Sequence, residues 1–491
     1  MSMRLRFLLD TNVLIPLQDT YQVLESNLAN FVRLAGLGGH QLLYHAATVA
    51  DFERDPDRAR KHRNLERLAQ YSMLDHAASC PWNTAETSPN DTCDNEILYA
   101  LECDAVHALV TEDRGIHVKA RLRGIGERVY TIQTAEDWLR RLHEPRQIAL
   151  PNIEDVPLHS LTPILALPFF DSLRDGYGGS EFDEWFRRKA RENRRAWVYQ
   201  DENGRLAAIC IYAVQHDEQI TETGTKLVGP ALKLCTFKVG ETVRGRKIGE
   251  LFLKASFRYA TENACEHVFI HANAERHDYL IRLLQDYGFG ERGTYMGDSV
   301  LVKEHPKSAP NLPALPAPEY NRRFFPHFRR DRSVRKFIIP IQPPFHDTLF
   351  PDYHPHQQRL FAPPSSVGNA IKLAYLCHAQ TNAISAGDVV LFYRTGDEKA
   401  ATSIGVVDRF DVLDDAARIA SLVSRRTVYS QQQIVEMAAR RTKVILFRLV
   451  EHLPDPVSYA RLQQEGIVGP IQSIRELQDD AFSRVLAAAG R

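Results

Sequence analysis

Two proline-bearing stretches divide the chain, and they constrain its fold more than any other feature. The first runs from Pro145 to Pro168, and the second, 306–326, reads PKSAPNLPALPAPEYNRRFFP. Such segments suit semi-rigid linkers or wrapping strands rather than regular elements. They leave three blocks of roughly 150 residues, each large enough to enclose its own core. We therefore expect a multidomain protein with α/β folds.

Composition narrows the classes of protein that fit. Of the residues, 44% are hydrophobic and 25% are charged, as in ordinary globular chains. Lys+Arg 61 against Asp+Glu 62 give a formal net charge of -1, so nucleic acid would have to meet a local basic patch. The 7 cysteines form no C-x-x-C pair, and no apolar run is long enough to span a membrane. These features predict a soluble protein of the reducing cytoplasm.

The first block, 1–147, alternates short apolar runs with helical patterns. Strands and helices are predicted in alternation, with strands at 4–9, 41–44, 108–111 and 129–132 and helices at 21–37, 59–73, 94–101 and 135–143. This alternation implies a parallel α/β sheet, whose ligands bind at the carboxyl ends of the strands.

Four aspartates fall at those strand ends and helix starts. Asp10 follows FLL, Asp51 lies beyond the second strand, Asp94 opens DNEILYAL, and Asp113 follows the strand that ends at Thr111. Hard divalent cations prefer oxygen ligands, and two of them can clamp the attacking and leaving oxygens of a phosphodiester. Taken singly, each acid could instead cap a helix or begin a turn. Together they predict a catalytic metal site.

The motifs LLDTNVLI, DNEIL and LVTED resemble those of the PIN domain, a fold of metal-dependent nucleases that includes toxin ribonucleases. The resemblance implies that Asp10, Asp94 and Asp113 bind Mg²⁺ or Mn²⁺. It also implies that Thr11 or Asn12 holds Asp10 in place.

The second acid of that family is usually a glutamate, and here Asp51 takes its position, with Glu53 and Asp55 as alternatives. Asp55 precedes Pro56 and could only cap the next helix. That helix is rich in arginine. Its positive charge either steers an RNA backbone towards the acids or forms a solvated face.

The second block has a different order of elements. The pattern predicts helices at 182–192, 247–261 and 279–286 and strands at 196–200, 206–214, 231–239 and 267–272. ALKLCTFKV, then TVRGRKIGELFLKASF, then a strand and a helix ending in YGF, resembles the GNAT acyltransferase fold, which we assign to 165–305. In that family a helix start with the signature R/Q-x-x-G-x-G/A holds the coenzyme A pyrophosphate. The resemblance implies a cofactor-binding loop made of Val243, Arg244, Gly245, Arg246, Lys247 and Gly249.

The chain departs from the GNAT pattern at two positions. Lys247 replaces the first signature glycine, and its side chain could crowd the loop or add a phosphate contact. Leu284 stands where the family often places a tyrosine acid. The block therefore either transfers acetyl groups, binds acyl-CoA as a structural or sensing ligand, or serves as a scaffold.

Residues 306–334 form a linker that continues into an arginine-rich stretch, NRRFFPHFRRDRSVRK. Arginines alternate with phenylalanines there, which suits phosphate contact and base stacking and makes Arg329 and Arg330 candidates for binding nucleic acid. Alternatively, the phenylalanines dock on a neighbouring domain and the arginines face water.

In the third block, 335–491, we predict helices at 368–378 and 431–440 and strands at 389–393, 402–407 and 443–450, an α+β pattern with a small barrel-like sheet. GNAIKLAYLCH followed by GDVVLFYRTGDEKAATSIGVV resembles the PUA-like superfamily with its EVE and ASCH modules, small barrels that bind RNA or modified bases. Candidate pocket residues are Asn369, Lys372, Tyr375 and Arg394. Lys372 and Tyr375 would share one helix face, although either could be structural.

The leading hypothesis from the sequence is a metal-dependent endoribonuclease, with the other blocks selecting the RNA or sensing acyl-CoA. The family resemblance implies a toxin or defence role, RNA (including tRNA) as a partner, a small inhibitor protein and a homodimer. One alternative is an acyltransferase acting on RNA or protein, with the first block as a binding platform. A third hypothesis is a non-enzymatic regulator.

Overall fold

The computed structural model describes residues 4–18, 25–84, 87–143, 153–353, 366–424, 426 and 429–491. The chain folds into two compact units. The first consists of Met1–Arg146, Leu376–His378 and Asp411–Val444, and the second of Gln147–Tyr375, Ala379–Phe410 and Ile445–Arg491. No described helix is both long and apolar enough to cross a membrane.

The first unit is built on a parallel five-stranded sheet, as the alternating pattern predicts. Its strands are β1 Arg6–Leu9, β2 Gln41–Tyr44, β3 Ser72–Met73, β4 Ala108–Val110 and β5 Val129–Tyr130, in the order β3-β2-β1-β4-β5. Within the described residues, the strands are connected or followed by the helices α1 Thr11–Gln18, α2 Ser26–Leu37, α3 Ala46–Glu53, α4 Arg58–Leu68, α5 Pro89–Glu102, α6 Arg114–Leu122 and α7 Ile132–His143. Because β1 lies in the centre, both of its faces are buried, and Phe7, Leu8 and Leu9 are all fully enclosed.

The start of helix α5 and the end of helix α4 differ from the prediction by several residues. Helix α5 begins at Pro89, because the Ser88 hydroxyl accepts a 3.1 Å hydrogen bond from the Asp91 N–H and proline suits the first helical position. Asp94 therefore lies within the helix and does not open it. Helix α4 is capped by Asp57 rather than Asp55 and ends at Leu68, which leaves Ser72–Met73 free to pair with β2.

The second unit contains a seven-stranded sheet with the strand order β11-β12-β10-β9-β8-β7-β6. Its strands are β6 Ile153–Pro157, β7 Arg195–Gln200, β8 Leu206–His216, β9 Pro230–Val239, β10 His267–Ala272, β11 Gly290–Tyr295 and β12 Asp298–Glu304. Neighbouring strands are antiparallel except β9 and β10, which run parallel. A parallel pair needs a crossover, and helix α10 supplies it.

Helices cover both faces of this sheet. They are α8 Asp171–Tyr177, α9 Ser180–Arg191, α10 Ile248–Glu262, α11 Asp278–Asp286 and α12 Ala317–Phe324. On α9 the buried residues Phe182, Phe186 and Ala190 recur every four positions, so one stripe of the helix faces the core. Helix α10 packs on the opposite face through Phe252, Leu253 and other apolar side chains.

The second unit also contains most of a six-stranded mixed sheet in the order β14-β17-β16-β15-β13-β18. The end of β14, the end of β16 and the start of β17 belong to the first unit. Its elements in chain order are β13 Lys336–Ile341, α13 Pro343–Leu349, β14 Lys372–Cys377, β15 Val389–Arg394, β16 Ala400–Leu413, β17 Thr442–Ser458 and β18 Arg475–Leu477. The two helices α14 Ala416–Val423 and α15 Gln431–Ala438 lie between β16 and β17 and belong to the first unit. Helices α16 Tyr459–Gln464 and α17 Asp479–Ala488 complete the chain. Short 3-10 helices occur at Gly126–Arg128, Leu158–Ile164, Pro168–Phe170, Glu241–Val243 and Ser366–Asn369.

The predicted helix at 368–378 is wrong. This segment forms the 3-10 turn Ser366–Asn369 and then strand β14, which pairs with β17. A short apolar run fits a helix or a strand equally well, and here a sheet partner decides the outcome. As a consequence Lys372 and Tyr375, three residues apart on a strand, lie on opposite faces instead of sharing one.

Candidate functional site

Asp10 lies where the sequence places it, at the carboxyl end of the central strand β1. Its side chain is buried, and its Oδ1 accepts a 2.7 Å hydrogen bond from the Thr11 N–H. The hydroxyl of Thr111 donates to Asp10 Oδ2 at 2.6 Å and accepts from the Asp113 N–H at 2.9 Å. Thr111 was not among the predicted site residues, although it stands directly before Glu112 and Asp113 in the motif LVTED.

The other three aspartates have protein partners of their own. Asp94 forms an ion pair with Lys119 at 2.8 Å, and Asp51 forms one with Arg54 at 2.5 Å. Asp113 caps helix α6, because its Oδ1 accepts from the Gly115 N–H at 2.6 Å and the Ile116 N–H at 3.2 Å. The contacts of Asp113 match the structural alternative of a helix cap, whereas Asp51 and Asp94 lie inside helices and form ion pairs.

Electrostatics links three of these carboxylates. Burial raises the pKa of Asp10 to about 6; hydrogen bonds from Thr111 and Thr11 oppose this, and the charges of Asp94 and Asp113 add to it. Burial also raises the pKa of Asp94, against the opposing effect of Lys119. The carboxylates of Asp10, Asp94 and Asp113 are therefore close enough to repel one another.

The predicted metal centre is not formed as a complete ligand set. Within the described residues, no three His, Cys, Asp or Glu side chains are arranged to hold a metal ion. Arg54 and Lys119 neutralise Asp51 and Asp94 instead. The charges of Asp94 and Asp113 add to the raised pKa of Asp10, so a cation beside Asp10 would relieve this repulsion.

A second candidate site lies where β9 and β10 part. These parallel strands pair from Ala231 and His267 up to Leu234 and Ile270. Beyond that point they are no longer bonded to each other, although β9 continues to Val239 along β8. Two strands that diverge in this way leave backbone groups on their facing edges available to a ligand.

The loop after β9 leads directly into helix α10. Val243 is buried, whereas Arg244 is half exposed and lies 3.6 Å from Glu241. Gly245 adopts a φ of 81°, and Arg246 pairs with Glu202 at 3.1 Å. Among the residues that the structure describes, no side chain caps the N-terminus of α10. Its first N–H groups and the positive end of its dipole therefore form the kind of surface that binds phosphate.

Lys247 occupies the position of the missing signature glycine and keeps a glycine-like backbone, with a φ of 59°. Its ammonium group lies 2.9 Å from the carboxylate of Glu250, which is almost fully buried. Lys247 therefore neutralises an internal acid and does not offer its charge to a phosphate. The sequence analysis did not single out Glu250.

The side chain at 284 cannot act as an acid. Leu284 is fully buried in the apolar cluster between α10 and the sheet. The nearby Tyr287 is also fully buried, and its hydroxyl donates to Glu250 at 3.1 Å. Neither residue replaces the tyrosine acid that is frequent in the family.

The arginine- and phenylalanine-rich stretch is largely an internal structure. Phe324, Phe325 and Phe328 are all buried. Arg329 is buried too, and its guanidinium group donates to the carbonyls of Leu312, at 2.8 Å, and Leu315. These contacts favour the docking alternative and place Arg329 out of reach of a nucleic acid. Arg330 is exposed, with its guanidinium 4.9 Å from the centre of the Phe328 ring.

The four candidates of the third block do not form one pocket. Arg394 is buried between the carboxylates of Asp347 and Asp397, so protein acids already satisfy it. The Tyr375 hydroxyl donates to the Pro340 carbonyl at 3.0 Å. Asn369 and Lys372 lie elsewhere, beside the first turn of α10: Asn369 donates to the Arg246 carbonyl at 2.6 Å, and the Lys372 ammonium group lies 3.0 Å from Asp286.

The diverging parallel strands and the helix that connects them lie within residues 158–289. Residues 158–289 match the profile of the family described as "Acetyltransferase (GNAT) family", so the chain contains a GNAT acetyltransferase domain there. This confirms the GNAT part of the sequence analysis. The resemblance of 1–147 to the PIN domain stays a prediction.

Among solved structures, this chain is similar to ASCH from Zymomonas mobilis at 14% identity, over 31% of this chain and 94% of that one, with a TM-score of 0.25. It is also similar to a protein named as an acyl-CoA N-acyltransferase, from Klebsiella pneumoniae, at 14% identity, over 31% and 97% of the two chains, with a TM-score of 0.21. Likenesses this distant carry no argument about function. No curated protein matches the sequence.

Proposed function

We propose that the GNAT domain binds an acyl-coenzyme A and transfers its acyl group to an amine. The observation that carries the proposal is the parting of β9 and β10 directly before a loop that opens the uncapped helix α10. A pyrophosphate bound at this helix start would accept hydrogen bonds from its N–H groups and gain from the dipole. The residues present therefore fit coenzyme A, although Leu284 supplies no proton to the departing thiolate.

The test is binding of acetyl-CoA to the full-length protein by titration calorimetry. Arg244→Glu places a negative charge in the phosphate loop, and we expect it to weaken binding at least tenfold. Arg258→Glu is the matched control, since it makes the same charge change at an exposed position near the other end of α10. If the wild-type protein shows no binding, or if both variants behave alike, the proposal is wrong. Transfer is then assayed with labelled acetyl-CoA and amine acceptors.

A metal-dependent ribonuclease activity of the first unit is a second candidate function. The observation that favours it is Asp10, a buried carboxylate at the end of the central strand, close to Asp94 and Asp113. Bound Mg²⁺ or Mn²⁺ would supply an activated water to the phosphodiester. RNA, an inhibitor protein and a second copy of the chain remain predictions that accompany this function.

The ribonuclease candidate is tested by incubating total RNA with the protein and Mn²⁺. Cleavage is expected to disappear with EDTA and in Asp10→Asn. Asp75→Asn, a change at an exposed aspartate of the same unit, should leave cleavage intact. Cleavage that survives Asp10→Asn would assign it to a contaminating nuclease or another site.

A further inference from the structure

A segment outside the GNAT domain, 369–372, contacts the loop in which we place the coenzyme pyrophosphate. Asn369 is buried, and its Nδ2 donates a 2.6 Å hydrogen bond to the carbonyl oxygen of Arg246. In a trans peptide the C=O and the next N–H point in opposite directions. The bond from Asn369 therefore turns the Lys247 N–H to the other side of the loop. In this way Asn369 sets the orientation of a peptide in the middle of the signature.

The same segment holds the first turn of α10 through Glu250. One carboxylate oxygen of Glu250 accepts from the Ile371 N–H at 2.8 Å and the Lys372 N–H at 3.1 Å, and also from the Tyr287 hydroxyl. Burial alone would raise the pKa of Glu250, but Lys247 and the Lys372 N–H lower it to about 2. Glu250 is thus an ionised internal anchor between the helix start and the segment.

The lysine in the glycine position belongs to this arrangement. A non-glycine residue in the left-handed region is strained relative to the ordinary helical region, because its Cβ lies close to a carbonyl oxygen. Lys247 adopts this left-handed conformation, and its ammonium group pairs with the carboxylate of Glu250. A buried carboxylate without such a partner would be strongly destabilising. Lys247, which replaces the signature glycine, therefore pairs with Glu250, and Glu250 in turn binds the backbone N–H groups of residues 371 and 372.

We propose that segment 369–372 completes the coenzyme site of the GNAT domain, with Asn369 as the residue that positions the pyrophosphate loop. This inference rests on the proposed binding of acyl-CoA. Asn369 does not touch the reacting atoms; it fixes the loop peptide whose N–H groups would meet the pyrophosphate. Because the loop and the segment share hydrogen bonds, coenzyme binding and the order of the segment are coupled, and each stabilises the other.

The first test compares Asn369→Ala with Asn321→Ala in the full-length protein. Asn321 is a matched control, because it is also a buried asparagine that donates to a backbone carbonyl, that of Gly387 at 3.4 Å. We expect Asn369→Ala to raise the Kd for acetyl-CoA by about 5- to 20-fold, the equivalent of one hydrogen bond. In turnover the KM should rise while kcat changes less than twofold. Asn321→Ala should change neither value.

A second measurement needs no variant. Hydrogen exchange of the Ile371 and Lys372 amides, which donate to Glu250, should slow at least threefold when acetyl-CoA is added to the wild-type protein. Wild-type binding with unchanged exchange, or with equal affinity in Asn369→Ala, overturns the inference and leaves the proposed function standing. Absence of wild-type binding overturns both, so the two failures are distinguishable.

Discussion

The ammonium group of Lys303 donates a 2.7 Å hydrogen bond to the backbone carbonyl of Arg323. Lys303 belongs to β12 and is fully buried, with its Nζ 5.5 Å from the centre of the Phe257 ring. Arg323 belongs to α12, in the segment that follows the GNAT domain. The hydrogen bond connects this segment to the sheet, and its donor is the ammonium group of a fully buried lysine. Burial, and next the charge of Arg448, lower the pKa of Lys303 to about 7.

This pKa predicts how stability depends on pH. An unfolded lysine keeps a pKa near 10.5, so between about pH 7 and 10 the unfolded state binds more protons than the folded state. Lys303 should therefore make the free energy of unfolding rise with pH in this range, by up to about 1.4 kcal/mol per pH unit. Lys303→Met should lower the slope by this contribution. Lys307→Met, at an exposed lysine, should keep it. Urea unfolding at pH 7 and 9.5 measures the effect, followed by hydrogen exchange in β10 and β12. If the free energy of unfolding changes equally with pH in all three proteins, the lowered pKa of Lys303 is wrong.

Gly288 has no room for a side chain. Its φ is 85°, and an added Cβ would lie 2.3 Å from the carbonyl oxygen of Arg322. Since both the backbone conformation and a backbone contact oppose a methyl group, Gly288→Ala should destabilise the second unit by about 3–5 kcal/mol. Gly290→Ala is the control, because nothing lies within 4 Å of its Cβ position. We expect a change below about 0.5 kcal/mol there. Thermal unfolding of both variants distinguishes the positions, and similar melting temperatures would be inconsistent with the close approach.

Two adjacent arginines should respond differently to removal. Arg329→Ala leaves the carbonyls of Leu312 and Leu315 without their charged donor, and we expect a loss of about 2–4 kcal/mol. Arg330→Ala removes an exposed side chain that covers the Phe328 ring, and it should cost less than about 1 kcal/mol. The denaturant concentrations at the unfolding midpoints of the two variants test whether Arg329→Ala is the more destabilising change. If Arg330→Ala lowers stability as much as Arg329→Ala, the buried role given to Arg329 is wrong.

The sequence predicted the elements with strong periodicity and missed contacts made between distant segments. Strands β1, β2, β4 and β5 of the first unit and strand β10 coincide with short apolar runs that alternate with helical patterns in the sequence. The segment 368–378 could not be assigned, because an apolar run of that length suits either structure until a partner strand is present.

The candidate sites show the same division. The positions of Asp10 after a strand and of the loop from Val243 to Gly249 before a helix were predictable, because each depends on a local motif; their roles stay predictions. Glu250 and Asn369 were not, since their roles depend on residues more than 100 positions away along the chain. A buried acid in a first helical turn gives no sign of its partners in the sequence. The assignment of Asn369 to an RNA pocket followed from considering the third block alone.

Tyr130 joins the parallel sheet of the first unit to the inserted helix α14. It is fully buried, its ring stacks on Trp138, and its hydroxyl contacts Ser424 and donates to the Ser421 carbonyl at 3.2 Å. Tyr130→Phe keeps the ring and removes the hydroxyl. It should therefore cost about 1 kcal/mol, because the buried hydrogen bonds of the hydroxyl are lost, although Ser424 still donates to the Ser421 carbonyl at 2.9 Å. The loss should appear as faster hydrogen exchange in both β5 and α14, because the hydroxyl is shared between them.

Tyr44→Phe is the control for this change. Tyr44 is a half-buried tyrosine of the same sheet, and within the described residues its hydroxyl makes no hydrogen bond. Removal of that hydroxyl should alter stability by less than about 0.5 kcal/mol. If Tyr130→Phe accelerates hydrogen exchange in β5 but not in α14, the Tyr130 hydroxyl does not stabilise α14. The association of Asp411–Val444 with the first unit would then depend on other contacts, such as the ion pair between Arg418 and Asp104 at 3.3 Å.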